Sequence, residues 1–264
     1  MQEPGVSNRS ANGVPDMRGA VSGVPRIDTS FAQAVEILRR RMPELFVPDA
    51  DVDHVRTTFR KHGRSASRFI DYDRYALGFN RAYFFKNLYK CLTVLSHTQL
   101  DLPQVASILD IGAGGGVFST AWRLLFPSSP VRTLLIDKSP QQLRIAKHVT
   151  AALQLPSVTC RVGVYPEDFE CFEGLRLFSY WFCEQIPGSG DAILPQSEAW
   201  LGEQNLIIDY EDVLSDVIRI LPREAVYEIR PLTVYPPLSL HPLFNDDHFS
   251  ASSLFVRLPS KRSL

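Results

Sequence analysis

A glycine-rich turn between a strand and a helix is the feature that most restricts the fold of this sequence. The apolar run 105–111 predicts a buried strand, glycines follow it at once, and residues 117–126 have the pattern of a helix that Pro127 ends. Glycines let the backbone turn tightly and let a ligand lie directly against backbone N–H groups. The turn therefore predicts a ligand site at the carboxyl end of a strand in an open α/β sheet.

The remainder of the chain alternates short apolar runs with helical patterns. We predict further strands at 132–136, 158–162, 175–182, 205–209, 225–234 and 250–258, and helices at 139–153 and 211–221. This alternation is typical of an α/β fold with a doubly wound, Rossmann-like sheet.

Three segments are expected from the change in composition along the chain. Residues 1–26 are rich in Gly, Pro, Ser and Asn, which predicts a disordered tail. Residues 27–100 show helical patterns and many aromatic side chains, which we interpret as a helical N-terminal lid and substrate region. Residues 101–264 then form the domain that contains the sheet.

Charge and cysteine content weigh against several classes of protein. Residues 1–100 contain 15 Lys and Arg against 10 Asp and Glu, whereas residues 101–264 contain 13 against 19. Nucleic acid is therefore an allowed partner but not the favoured one, because the basic excess is mild. The four cysteines form no CxxC pair, so no metal site is expected. Without a signal peptide or a long apolar run, we expect a cytoplasmic protein with no membrane span.

The residues around the turn separate two classes of ligand. The spacing is GxGxG, and Val117 stands where the dinucleotide fingerprint has its third glycine or alanine. Asp110 precedes the turn, where a carboxylate suits a cationic ligand and would repel a pyrophosphate. Asp137 ends the second strand, 25 residues after Gly112, where a carboxylate can accept both ribose hydroxyls.

Residues 108–147, ILDIGAGGGVFSTAWRLLFPSSPVRTLLIDKSPQQLRIAK, resemble the first two motifs of class I S-adenosylmethionine-dependent methyltransferases. The resemblance implies a sheet of seven strands with the last one antiparallel, S-adenosyl-L-methionine as cofactor, and a transferase activity. A weaker similarity, carried by the order of an aromatic helix with Asn and Lys, the glycine turn and residues 178–184, is to methyltransferase-like proteins of ribosomal small-subunit assembly. That family has a clustered cysteine site that this sequence lacks.

The motifs that resemble the family predict the cofactor site residue by residue. The expected contacts are Asp110, Gly112, Ala113, Gly114 and Gly116 at the turn, Asp137 and Lys138 after the second strand, Glu167 and Asp168 after the third, and Tyr180 at the fourth.

Two further sets of residues are candidates for the methyl acceptor. Aromatic and amide side chains of the N-terminal region predict a substrate pocket, namely Tyr72, Tyr75, Asn80, Tyr83 and Asn87. An oxygen acceptor or a weakly acidic nitrogen acceptor needs a base. The candidate catalytic groups, which topology places at the same edge of the sheet, are Glu184, Tyr180, His241 and His248.

We therefore expect a methyltransferase that acts on a small molecule or a peptide. An RNA-directed methyltransferase or ribosome-assembly factor with this fold is an alternative, since the N-terminal third is basic. A nicotinamide-dependent oxidoreductase is a third hypothesis, which Val117 disfavours, and a cofactor-binding protein without catalysis is a fourth.

Overall fold

The computed structural model describes residues 27–98, 105–167, 172–185, 200–244 and 248–259. Seven strands of these residues form one sheet in the order β3-β2-β1-β4-β5-β7-β6. The strands are β1 (Ser107–Ile111), β2 (Arg132–Asp137), β3 (Val158–Val162), β4 (Leu175–Ser179), β5 (Gln204–Asp209), β6 (Val226–Val234) and β7 (Phe249–Arg257). The predicted tail, residues 1–26, lies outside the described residues.

The directions of the strands confirm the fold expected from the sequence. Strands β1 to β5 pair in parallel, whereas β7 runs antiparallel to both β5 and β6. The result is a doubly wound, Rossmann-like sheet of seven strands with the last one antiparallel. The strand order reverses between β1 and β4, and open α/β sheets bind ligands beyond the carboxyl ends of the strands at such a point.

Helices cover both faces of the sheet. They are α1 (Ile27–Arg41), α2 (Ala50–His62), α3 (Ala76–His97), α4 (Val117–Leu125), α5 (Pro140–Ala152), α6 (Phe182–Gln185) and α7 (Glu211–Arg219). Phe31 of α1, Phe84 of α3 and Phe118 of α4 share one core with Ile108 and Leu177 of the sheet. The N-terminal helices α1 and α3 thus belong to the helical layer on that face.

The second face of the sheet carries α7. Val213 and Val217 of this helix pack with Ile207 of β5 and Leu254 of β7, all of them fully buried. Burial on both faces explains why the central strands are continuous apolar runs. In the described part of the chain, no helix combines the length and the apolar character needed to cross a bilayer.

The fourth strand is shorter than the sequence predicts. The apolar run 175–182 predicts one strand, but β4 ends at Ser179 and Tyr180 adopts a left-handed backbone with φ of 55°. Phe182 then belongs to α6, where its ring is buried 5.0 Å from the ring of Phe178. The run is apolar because both segments are buried, so its composition does not show where the strand stops.

Candidate active site

A cavity of about 570 Å³ lies at the carboxyl ends of β1, β2 and β4. This volume falls within the range of small-molecule sites, about 300–1,000 Å³. Of the residues proposed from the sequence, those that line the cavity are Tyr72, Asn80, Tyr83, Asn87, Asp110, Gly112, Ala113, Gly114, Asp137, Lys138, Tyr180 and Glu184. The glycine turn, the end of β2 and the N-terminal helices therefore meet at one place.

The three glycines of the GxGxG turn all adopt left-handed backbone, with φ of 63°, 51° and 78° in chain order. Glycine reaches this region without a steric penalty. Among the described residues, a Cβ atom on Gly114 would meet only Gln142 Oε1, at 3.7 Å, so a side chain there would extend into the cavity. Gly116 instead precedes α4, and a Cβ on it would lie 3.0 Å from Leu135 Cδ2, so this glycine allows close packing.

Asp110 lines the cavity and has a buried carboxylate oxygen without a partner among the described residues. The side chain is fully buried, and its Oδ2 accepts hydrogen bonds from Ser119 N at 3.0 Å and Ser119 Oγ at 2.5 Å. Its Oδ1 has no partner among the described residues. Burial raises the pKa of Asp110 to about 6, although the Ser119 bonds oppose this shift. A buried oxygen without a donor is costly, and a cationic ligand would satisfy it.

Asp137 lies at the end of β2, on the other side of the glycine turn. Gly114 N donates to its Oδ2 at 2.9 Å, and Ser139 N donates to its Oδ1 at 2.8 Å. Burial raises the pKa of Asp137, while these two backbone bonds act in the opposite direction. A carboxylate has about four lone-pair sites, so Asp137 retains acceptor capacity for two further hydroxyl groups.

Glu184 and Tyr72 join the N-terminal region to the segment after β4. Tyr72 OH donates to Glu184 Oε1 at 3.0 Å, and Lys138 Nζ lies 4.0 Å from Glu184 Oε2. Burial raises the pKa of Glu184, whereas Lys138 and the Tyr72 bond oppose the shift. A half-buried carboxylate on the cavity wall can accept a proton from a bound molecule.

Tyr180 and Lys90 form a second polar pair on the wall. Lys90 Nζ donates to the Tyr180 hydroxyl oxygen at 2.8 Å. Burial raises the pKa of Tyr180 well above its ordinary value, so the hydroxyl keeps its proton.

Gln142 and Trp181 are among the residues of the site that the sequence analysis does not predict. Asn80 Nδ2 donates to Gln142 Oε1 at 2.7 Å, and both residues line the cavity beside the glycine turn. A Cβ on Gly112 would lie 2.7 Å from Trp181 Cδ1, so the indole covers this glycine closely. Both contacts depend on tertiary packing, which leaves no local pattern in the sequence.

Several expected residues lie away from the cavity. Tyr75 stacks on His54 at 4.4 Å between ring centroids, and Glu167 is exposed to solvent. Neither lines the cavity, and on the segment after β3 it is Gly163, Val164 and Tyr165 that form the wall. Asp168 lies outside the described residues.

The two histidines of the late hairpin, the connection between β6 and β7, also lie elsewhere. His241 Nε2 is 3.1 Å from the carbonyl oxygen of Pro236, and exposed His248 stacks on Tyr235 at 5.9 Å. Neither lines the cavity. His241 lies in the 3-10 helix Leu238–Leu243, whose Leu240 packs into the core on the face covered by α1 and α3, and His248 is at the surface directly before β7. We therefore do not propose either histidine as a base.

Comparison with known proteins finds similar solved structures but no protein family or curated protein with a matching sequence. No model of a protein family and no curated protein matches the chain. A precorrin-6y C5,15-methyltransferase from Geobacter metallireducens aligns at 16% identity and a TM-score of 0.44, covering 67% of this chain and 89% of that one.

Two further similar structures are of proteins whose names give other substrates. A ribosomal protein L11 methylase from Lactobacillus delbrueckii aligns at 12% identity and a TM-score of 0.44, covering 67% of this chain and 80% of that one. An rRNA methylase from Streptococcus thermophilus aligns at 11% identity and a TM-score of 0.38, covering 66% and 96%. The parallel pairing of β1 to β5 and the antiparallel β7 give the seven-stranded sheet that the resemblance to class I S-adenosylmethionine-dependent methyltransferases implies.

Proposed function

We propose that this chain is an S-adenosylmethionine-dependent methyltransferase whose acceptor is a small molecule. The observation that carries the proposal is the buried Asp110 Oδ1, unpaired among the described residues, on the same cavity as Gly114 and Asp137. Asp110 suits the ammonium group of the cofactor, the bare backbone at Gly114 allows close approach, and Asp137 suits the ribose hydroxyls. Two carboxylates beside the turn would repel the pyrophosphate of a nicotinamide dinucleotide.

The residues of the chain have separate parts in the proposed reaction. When bound, S-adenosylmethionine supplies an electrophilic methyl group on a sulfonium. Asp110 and Asp137 hold and orient the two polar ends of the cofactor, and the aromatic walls exclude water from the reacting atoms. Glu184 takes the proton of the acceptor, because it is the carboxylate on the segment that follows β4.

The small-molecule acceptor is favoured by the dimensions and lining of the cavity. Aromatic rings from α2 and α3 line part of its wall, and the cavity of about 570 Å³ must hold both the cofactor and the acceptor. The experiment is transfer of labelled methyl from S-adenosylmethionine to three pools, namely small-molecule extract, peptides and RNA. We expect label in the small-molecule pool. Label confined to RNA or peptide would contradict the choice of acceptor, and no label in any pool would contradict the enzyme assignment.

Asp137→Ala should weaken S-adenosylmethionine binding by about ten- to a hundredfold. The substitution removes an acceptor of hydrogen bonds from the ribose, and hydrogen bonds to charged groups contribute about 1.5–3 kcal/mol. Isothermal titration of the full chain measures the dissociation constant, with Asp216→Ala on α7, remote from the cavity, as the control. An unchanged affinity in a folded Asp137→Ala protein would mean that the ribose does not lie at the end of β2.

A further inference from the structure

The part of the cavity wall contributed by α2 and α3 includes a cluster of aromatic rings, beside amide and lysine side chains of α3. The ring of Tyr83 lies 5.0 Å from that of Phe59 and 5.4 Å from that of Phe79, all measured between centroids. Tyr180 and Tyr210 contribute a second pair of rings, 5.5 Å apart. Rings that meet at such distances offer flat apolar surfaces and edges to a planar guest. The lining therefore suits an acceptor that is itself aromatic.

The Lys90–Tyr180 pair supplies the polar contact within this apolar surrounding. Lys90 extends from α3 and Tyr180 from the end of β4, and the 2.8 Å bond between them crosses from one element to the other. Because the Tyr180 oxygen accepts from the ammonium group, its own proton is available to a third atom. Among the described residues, no atom accepts that proton. A cation and a hydroxyl donor side by side are suited to a single negatively charged oxygen.

The backbone of Tyr180 is held in an unfavourable conformation. Its φ of 55° lies in the left-handed region, and its N–H donates to Ile208 O at 2.8 Å. For a residue other than glycine this conformation is strained, and such residues concentrate at functional sites. The bond to the neighbouring strand β5 thus fixes the direction in which the Tyr180 side chain leaves the sheet.

We infer that Lys90 and Tyr180 bind the ionised hydroxyl of a planar aromatic acceptor, so that the substrate class is small phenols. The inference rests on the proposed methyltransferase function. It deepens that function by naming the acceptor and the groups that recognise it.

The reaction balances with the residues already named. The phenol loses its proton to the Glu184 carboxylate, and the resulting phenolate is stabilised by the Lys90 ammonium and the Tyr180 O–H. The phenolate oxygen forms a bond to the methyl carbon while the carbon–sulfur bond breaks, and its electron pair stays on sulfur. The products are an aryl methyl ether, a neutral thioether and protonated Glu184, which returns its proton to water.

The test uses 4-nitrophenol as the probe, because its phenolate absorbs visible light and so reports its own ionisation when bound. Full-length protein is titrated with the probe over a range of pH without cofactor, so the measurement does not depend on turnover. The cavity wall also contains Lys86, Lys138, Asp110, Asp137, Glu184 and Cys183. The contribution of Lys90 is therefore taken as the difference in the pKa of the bound probe between wild type and Lys90→Met.

We expect the bound probe to have a pKa lower by about one unit or more in wild type than in Lys90→Met, the effect of a cation within hydrogen-bonding range. Tyr180→Phe keeps the ring but removes the hydroxyl, so the bound probe should have a pKa between those in wild type and in Lys90→Met. Lys147→Met on the exposed side of α5 is the matched control and should behave as wild type. Circular dichroism of each variant shows whether it is folded.

The outcomes separate the acceptor from the enzyme assignment. An equal probe pKa in wild type and folded Lys90→Met, or no binding of 4-nitrophenol at millimolar concentration, would overturn the inference. If S-adenosylmethionine still binds in that case, the proposed function stands and only the acceptor class is wrong. Methyl transfer to RNA or peptide but not to any phenol would likewise overturn it.

Discussion

Gly114→Val is expected to abolish binding of S-adenosylmethionine, with a loss of at least about a hundredfold, or about 2.8 kcal/mol at 1.4 kcal/mol per factor of ten. A Cβ at this position has only one neighbour within 4 Å, and the space beyond it belongs to the cavity. The two methyl groups of valine would therefore occupy the volume that the ligand needs. Isothermal titration measures the loss.

The matched variant for this experiment is Gly114→Asn. Position 114 has a φ of 51°, which valine adopts with strain, whereas asparagine visits the left-handed region more readily. Asparagine still places a side chain in the cavity, so it should also lose binding while retaining more stability in urea unfolding. If both variants are folded and bind the cofactor as wild type does, the ligand does not lie against this turn.

The affinity for S-adenosylmethionine should fall as the pH is lowered through about 6. The pKa of Asp110 is raised to about 6 in the ligand-free protein, and only the ionised carboxylate pairs with an ammonium group. Binding is therefore strongest above this pKa and weakens by up to about tenfold per pH unit below it. Titrations between about pH 8 and pH 5 measure the change in dissociation constant.

Two variants identify Asp110 as the group responsible. Asp110→Asn should bind weakly at every pH and without a transition near 6, because its side chain carries no titratable charge. Ser119→Ala removes the hydroxyl that donates to Asp110 Oδ2, so the transition should move to higher pH. An affinity that does not depend on pH in wild type, or that rises as pH falls, would exclude an Asp110–ammonium contact.

The fold and the residues proposed to bind the cofactor follow from local patterns in the sequence. Buried parallel strands are continuous apolar runs, and the GxGxG turn requires glycine where the backbone is left-handed, so the amino-acid sequence alone predicts both. Asp110 and Asp137 lie at the carboxyl ends of neighbouring strands, which fixes their position by topology. The end of β4 is the exception, since Tyr180 leaves the strand in the middle of an apolar run.

The residues on the acceptor side of the site could not be predicted from the sequence to the same extent. Topology alone predicts that the late hairpin returns to the same edge of the sheet, yet packing of Leu240 and Phe244 into the core keeps His241 away from the cavity. Tyr75 and Tyr83 share one aromatic region of the sequence, but only Tyr83 faces the cavity. These placements depend on how α2 and α3 pack against the sheet, and no single segment specifies that packing.

Binding of S-adenosylmethionine in the cavity beside Asp110, Gly114 and Asp137 is the step on which the proposed chemistry depends. It is tested by isothermal titration of the full chain with S-adenosylmethionine, its demethylated product and reduced nicotinamide dinucleotide in parallel. We predict saturable one-to-one binding of the first two ligands and no binding of the dinucleotide. No binding of S-adenosylmethionine or its product at millimolar concentration, or tighter binding of the dinucleotide, would contradict this assignment.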